Sequence, residues 1–509
     1  MTVLEGPSIP ATTPSEVAGF IARDHGLLIA GQWRPSSGGR TVVSVNPATG
    51  QPLATLAAGE RADVDDAVAA ARAALADPGW RDISPLQRGE LLHALADLVE
   101  AHADELALIE SLDNGKPVSV ARAVDVGTTA KLFRYFAGWP SKFEGSTIPI
   151  SPRGGLRVLN YTVHEPIGVV GAIVPWNFPM SMAAWKLAPA LAMGNAVVLK
   201  PAEQTSLSTL RLAELIGQAG FPSGVVNVVT GLGSVVGAAI AGHGGVDKVA
   251  FTGSTAVGRL VTAAALGNMK KVSLELGGKS PHIVLPDADP AAVARAACDG
   301  IFFNQGQTCT AGSRLYVHAD IYDEVMSALI DEARRIVVGP GHDPATQMGP
   351  LVSASQLDTV GSYIESGLAD GAELACGGSR PAGLGAEYAD GYFLEPTVLT
   401  ETTHAMRVVR EEIFGPVLVA MRWTDVDDLI DKANDSPYGL SAGLWTNDLT
   451  KAHRIAAAIK AGTVWINCYN LTDPASPFGG YKQSGWGREM GRAVLDQYTE
   501  TKSVWVNLT

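Results

Sequence analysis

Between residues 168 and 274 the chain repeats one pattern: a short, wholly apolar run, a turn, then a stretch of helical spacing. Runs at 168–174, 196–199, 225–229, 249–251 and 272–274 read as strands, and 206–219 and 255–266 as helices between them. A strand that is apolar at every position is buried on both faces. Alternation with helices then makes this an α/β protein with a parallel, doubly wound sheet. Ligands of such sheets bind beyond the carboxyl ends of the strands. The polar residues that close the runs are therefore the first candidates: Asn177, Lys200, Thr230, Gly253 with Ser254, and Glu275.

A chain of 509 residues exceeds one ordinary core. After Gly277 a second α/β segment continues to about Gln483. At the other end, residues 1–24 are rich in Pro, Thr and Ser and read as a loose arm, with the body starting near Leu27. Residues 63–75 read as an Ala-rich helix, and Ser84 with Pro85 as the cap and first turn of another. With 38 basic against 52 acidic residues, the net charge of -14 disfavours nucleic acid and anionic membranes. Four well-separated cysteines, without zinc spacing, imply a reducing compartment and no metal. No signal-like start is present, and the longest apolar run, 167–176, is too short to cross a bilayer. A cytoplasmic protein is expected.

The chemistry centres on Cys309, which lies between Thr308 and Thr310 after a Gly-containing turn. A nucleophilic thiolate needs small or polar neighbours and backbone amides, although spacing alone also fits a buried structural thiol. An Asn at the end of the first strand, Asn177, could cap a turn or aim an amide at an oxyanion. Glu275, between two leucines at a strand mouth, could be an edge residue or a base of raised pKa. Gly231-Leu232-Gly233, followed by Gly237, misses the dinucleotide fingerprint by one residue. Phe251-Thr252-Gly253-Ser254 follows a strand and opens a helix, where amides can hold a pyrophosphate.

Taken together, the Phe303-to-Arg314 segment, Trp176-Asn177-Phe178-Pro179, Leu274-to-Lys279, Lys200-Pro201-Ala202-Glu203 and Glu411-to-Val417 resemble motifs of the aldehyde dehydrogenase superfamily, in that family's order. The resemblance implies a Rossmann-type cofactor domain (1–143 and 167–277), an α/β catalytic domain (278–484) and a small β oligomerisation domain (144–166 and 485–509). It makes Cys309 the nucleophile and Asn177 with the Cys309 amide the oxyanion site. Glu275 becomes the base that hydrolyses the thioester, and Lys186 a proton relay. It assigns NAD to Trp176, Lys200, Glu203, Gly233, Gly237, Phe251, Gly253, Ser254, Val257, Glu412 and Phe414. A carboxylate at Glu203 repels a 2'-phosphate and favours NAD over NADP. The presence of Glu275 argues against the coenzyme-A-acylating branch.

The matched tunnel positions hold Phe178, Trp185 and Phe478, an apolar lining, with Thr472 where several relatives carry an aromatic. Residues 133–139 and 483–491 look like the phenylacetaldehyde dehydrogenase branch. The tail at 498–506 alternates like a strand, and by resemblance it joins a hairpin at 144–166 in a dimer or tetramer. Two other readings stay open. Gly439-Leu440-Ser441-Ala442-Gly443 fits the serine-hydrolase pattern, which requires a strand before and a helix after. A catalytically silent binding relative is the other.

Overall fold

The structure is a computed structural model that describes residues 7–509. The apolar runs form five parallel strands in one sheet: Val169–Ile173, Ala196–Lys200, Val226–Val228, Lys248–Thr252 and Lys271–Glu275. Their spatial order sets Lys271–Glu275 beside Lys248–Thr252, then Val169–Ile173, Ala196–Lys200 and Val226–Val228. Every residue of Val169–Ile173 and Ala196–Lys200 is buried, because helices cover both faces. Leu27–Ile29 with Gln32–Arg34 close one edge of the sheet antiparallel. Gly485–Trp486, grouped by sequence with the oligomerisation segment, pair antiparallel with Leu274 and Glu275 at the other edge.

A second sheet of seven strands takes over from Pro281–Val284 to Thr463–Ile466 and is parallel except at Glu373–Cys376. The two sheets meet along the Glu275-to-Pro281 connection. Helix caps follow the sequence: Ser84 and Gln87 form a reciprocal capping box on Pro85–Ala101, and Glu60 and Asp63 do so on Arg61–Ala76.

The loose arm is corrected in part. Residues 1–6 lie outside the described residues, but Ser15–Ala22 is a helix that buries Val17, Phe20 and Ile21 in the main core. Its hydrophobic spacing is too short to stand out among prolines, and tertiary packing stabilises it. Thr499–Asn507 pairs over its whole length with Val158–Pro166, antiparallel, as a ribbon set apart from both large sheets. Trp505, Val506, Leu508 and Leu159 stay exposed on it. Among the described residues, no helix is long and apolar enough to cross a membrane.

Candidate active site

The carboxyl edge of the first sheet faces a cavity of about 830 Å³ between the two sheets. Strand register brings the candidates there: Glu275 pairs with Thr252, and Ile173, which leads into Trp176 and Asn177, pairs with both Phe251 and Lys200. The cavity is lined by Asn177, Glu275, Cys309, Trp176, Gly253, Ser254, Glu412 and Phe414. Residues separated by more than two hundred positions are thus gathered in one space.

Cys309 arrives on a loop whose shape is unusual. The helix Pro290–Phe302 ends, and Asn304 and Gln305 then take left-handed backbone angles, φ 48° and 57°, before Gly306. Two consecutive non-glycine residues in that region cost of order 1–3 kcal/mol each, and packing must hold them there. The Asn304 amide donates to the Asn177 carbonyl at 3.0 Å, and Gln305 donates to the Pro350 carbonyl at 3.1 Å. Asn177 in turn donates from Nδ2 to the Gln307 carbonyl at 2.9 Å, which fixes its amide beside the cysteine loop. One of its two N–H groups is committed this way. Burial, with the Glu412 and Glu275 carboxylates, pushes the Cys309 thiol up to about 12, while the amides of Cys309 and Thr310 favour its anion.

Glu275 is buried, and its Oε2 atom has no hydrogen-bond partner among the described residues. Burial and the nearby Glu489 raise its carboxyl well above the usual range, against the opposing pull of Lys186 and Arg488. Lys186, on the helix Pro179–Ala192, does not line the cavity. Its ammonium is buried behind the wall, where it donates to Thr252 Oγ1 at 2.6 Å and pairs with Glu489. Glu489 lines the cavity, yet the resemblance of residues 483–491 to a family branch gives this carboxylate no role. It stands 303 positions from Lys186, and no local pattern links the two.

On the outer side of the same sheet edge, Lys200 bonds Glu203 at 2.8 Å. Burial would raise Glu203, but the Lys200 charge, the hydrogen bond from Lys200 and the amides of Glu203 and Gly233 together outweigh it and hold the carboxyl below its usual range. The Gly233 amide also faces Glu203. Gly237 backs the Lys200 stem: a Cβ added at this glycine would stand 3.9 Å from the lysine Cδ. Ser254 caps the helix Thr255–Ala265 by accepting from the Val257 amide. Val257 and Leu232, near these residues in the chain, are each more than two-fifths exposed. Phe251 is different: its ring is buried beneath Gly253 and supports the turn from below. Thr230 also stays out of the cavity, its hydroxyl donating to the Ala57 carbonyl.

Glu412 accepts from the Gly278 amide at 2.9 Å, and burial lifts its carboxyl to about 7. Phe414, at φ 57°, meets the Trp176 ring edge-on at 5.2 Å. The rest of the cavity is an apolar funnel in which Phe178 stacks on Phe303 and Trp185 meets Phe478 edge-on. Thr472 also lines it.

The serine-hydrolase elbow is not formed. Ser441 opens the buried strand Ser441–Trp445, and no helix follows it at a turn. Its hydroxyl is occupied by Ser280 and by the Thr310 carbonyl.

Residues 33–504 match the model of the aldehyde dehydrogenase family. The chain belongs to that family. It is 49% identical to a phenylacetaldehyde dehydrogenase of Pseudomonas fluorescens over 94% of this chain and 95% of that protein. It is also 49% identical to retinal dehydrogenase 2 of Homo sapiens, over 95% and 92% of the two chains. The solved NAD+ complex of an aldehyde dehydrogenase from Bacillus cereus superposes with a TM-score of 0.94 at 48% identity, covering 98% and 99%. The fold class and the enzyme family expected from the sequence both hold.

Proposed function

We propose that this aldehyde dehydrogenase oxidises an apolar aldehyde of the phenylacetaldehyde type to its carboxylic acid, with NAD as cofactor and hydrolytic release of the product. The observation that carries the reading is that Cys309, Asn177 and the buried Glu275, whose Oε2 atom has no hydrogen-bond partner among the described residues, line one largely apolar cavity.

The outer side of the sheet edge fits a dinucleotide. Leu232 and Val257 present exposed apolar faces suited to an adenine, and Glu203, held by Lys200, is an acceptor suited to ribose hydroxyls. The Ser254-capped helix start suits a pyrophosphate. Glu412 and the Trp176–Phe414 pair would hold the nicotinamide end inside the cavity. NAD, when bound, supplies the hydride acceptor.

Cys309 adds as its thiolate, which the Cys309 and Thr310 amides favour, through sulfur to the aldehyde carbon, its proton having passed to water in the cavity. Asn177 Nδ2 and the Cys309 amide hold the oxyanion; a donor of this kind contributes about 10²–10³ in rate. Loss of hydride leaves a thioester on Cys309. Glu275 then removes a proton from water as its oxygen adds to the thioester carbon, the C–S bond breaks to release the carboxylic acid and return the Cys309 thiolate, and Glu489 with Lys186 gives the proton a route away from the cavity. On this reading the first sheet is the cofactor module and the second the catalytic one. The exposed ribbon of Val158–Pro166 with Thr499–Asn507 joins subunits of a cytoplasmic dimer or tetramer.

The test is NADH formation from phenylacetaldehyde, betaine aldehyde and a short semialdehyde, with NAD against NADP, before and after iodoacetamide. Alkylation-sensitive signal with NAD, highest for phenylacetaldehyde, supports the reading. Equal turnover of betaine aldehyde overturns the substrate class, and signal only with coenzyme A added overturns hydrolytic release.

A further inference from the structure

Behind the oxyanion site lies a fully buried ion cluster. Lys116 has no solvent exposure, and neither do the two carboxyls it meets, Asp125 at 2.9 Å and Glu110 at 3.4 Å. The third partner is not a side chain. Lys116 Nζ donates to the main-chain carbonyl of Asn177 at 2.9 Å. An ammonium has three protons, and these three acceptors use them all. The same ammonium stands 4.3 Å from the centre of the Phe178 ring, the next residue along and part of the funnel wall.

Each anchor leads to the aldehyde's surroundings. Asp125 sits in a π-turn, Ala121–Val126, from which Ala123 and Val124 line the funnel; such turns are frequent at functional sites. Two residues before Lys116 in the chain, Asn114 donates to the Trp176 carbonyl at 2.8 Å, so consecutive carbonyls of the oxyanion strand end are gripped from one loop. Buried ion clusters stabilise a fold no better than well-packed apolar residues of similar volume. A lysine that directs one proton to the Asn177 carbonyl therefore calls for a reason other than stability.

We propose that Lys116 is a positioning residue for the reaction: anchored by Asp125 and Glu110, it fixes the Asn177 backbone and so aims the Asn177 amide at the oxyanion. This rests on the oxyanion role proposed above for Asn177.

The experiment is a double-mutant cycle on single-turnover NADH formation from phenylacetaldehyde with saturating NAD. Lys116→Met, Glu110→Gln and Asp125→Asn are combined, so that no unpaired charge is left buried, and the triple variant is measured alone and with Asn177→Ala. The expected result is a folded protein with unchanged NAD affinity, hydride transfer slowed about tenfold, and no further slowing when Asn177→Ala already carries the triple change. Wild-type hydride transfer in the folded triple variant overturns the proposal. So does a slowing that multiplies with that of Asn177→Ala, because Lys116 then acts by another route. Should the triple variant not fold, the isosteric Asp125→Asn is taken through the same cycle; a severalfold, non-additive slowing supports the proposal and an unchanged rate overturns it. Full hydride transfer in Asn177→Ala alone refutes the oxyanion role itself, and is distinguished by that variant without any change at Lys116.

Discussion

Gly479 lies directly against the Glu275 carboxyl: a Cβ at position 479 would stand 2.8 Å from Glu275 Oε1, and the backbone there is at φ +155°. The loop that carries Phe478 into the funnel thus also confines the candidate base. Gly479→Ala should displace the carboxyl and slow thioester hydrolysis while hydride transfer continues. Rapid-mixing traces would then show a retained NADH burst followed by a slower steady state, and loss of the burst itself would contradict this placement.

Direct changes to the two reacting groups should separate the half-reactions. Cys309→Ala should abolish NADH formation. Glu275→Gln should keep the burst and lower steady-state turnover by about 10²-fold or more, the usual contribution of a general base. With its thiol raised to about 12, Cys309 in the free enzyme should be alkylated by iodoacetamide at a rate that climbs through pH 9 without levelling. A plateau near neutral pH would show a thiolate already formed.

On the proposed function, cofactor choice turns on the carboxylate of the Lys200–Glu203 pair. Glu203→Ser should free the Lys200 ammonium to face a 2'-phosphate, lowering the NADP KM at least severalfold while the NAD KM rises. Measuring kcat/KM for both cofactors checks this, and an unchanged ratio would count against Glu203 at the ribose.

Acid stability should reflect two buried imidazoles. Burial lowers His282 to about 3 and His25 to about 4, so both stay neutral in the folded chain after their unfolded counterparts have taken up protons near 6.5. The unfolded state then binds more protons, and stability falls as pH drops from about 6.5 towards 4. By pH 4 His282 alone withdraws about 3 kcal/mol. His282→Gln, which can still accept from Trp445 Nε1, should show a shallower fall of Tm over that interval.

Much of the fold and of the site is legible in the amino-acid sequence. The parallel strands announce themselves because burial on both faces leaves no polar position, as in Val169–Ile173; Cys309, whose small and polar neighbours also fit a buried structural thiol, stands out only by the longer motif around it. What the sequence conceals is tertiary. Glu489 meets Lys186 only through the fold. Lys116, Glu110 and Asp125 look like ordinary solvated charges until the fold buries them. The helix Ser15–Ala22 hides among turn-forming residues because eight residues carry little pattern.

The ribbon of Val158–Pro166 with Thr499–Asn507 joins residues as far as 349 positions apart, the separation of Val158 from its register partner Asn507. Its second strand is the last part of this ribbon to be made. At ribosomal speeds of about 5–20 residues per second, Val158–Pro166 waits roughly tens of seconds for its partner, with Leu159 and its neighbours uncovered. A chain that stops short of the second strand therefore leaves Val158–Pro166 as an unpaired edge, open to pairing with other chains.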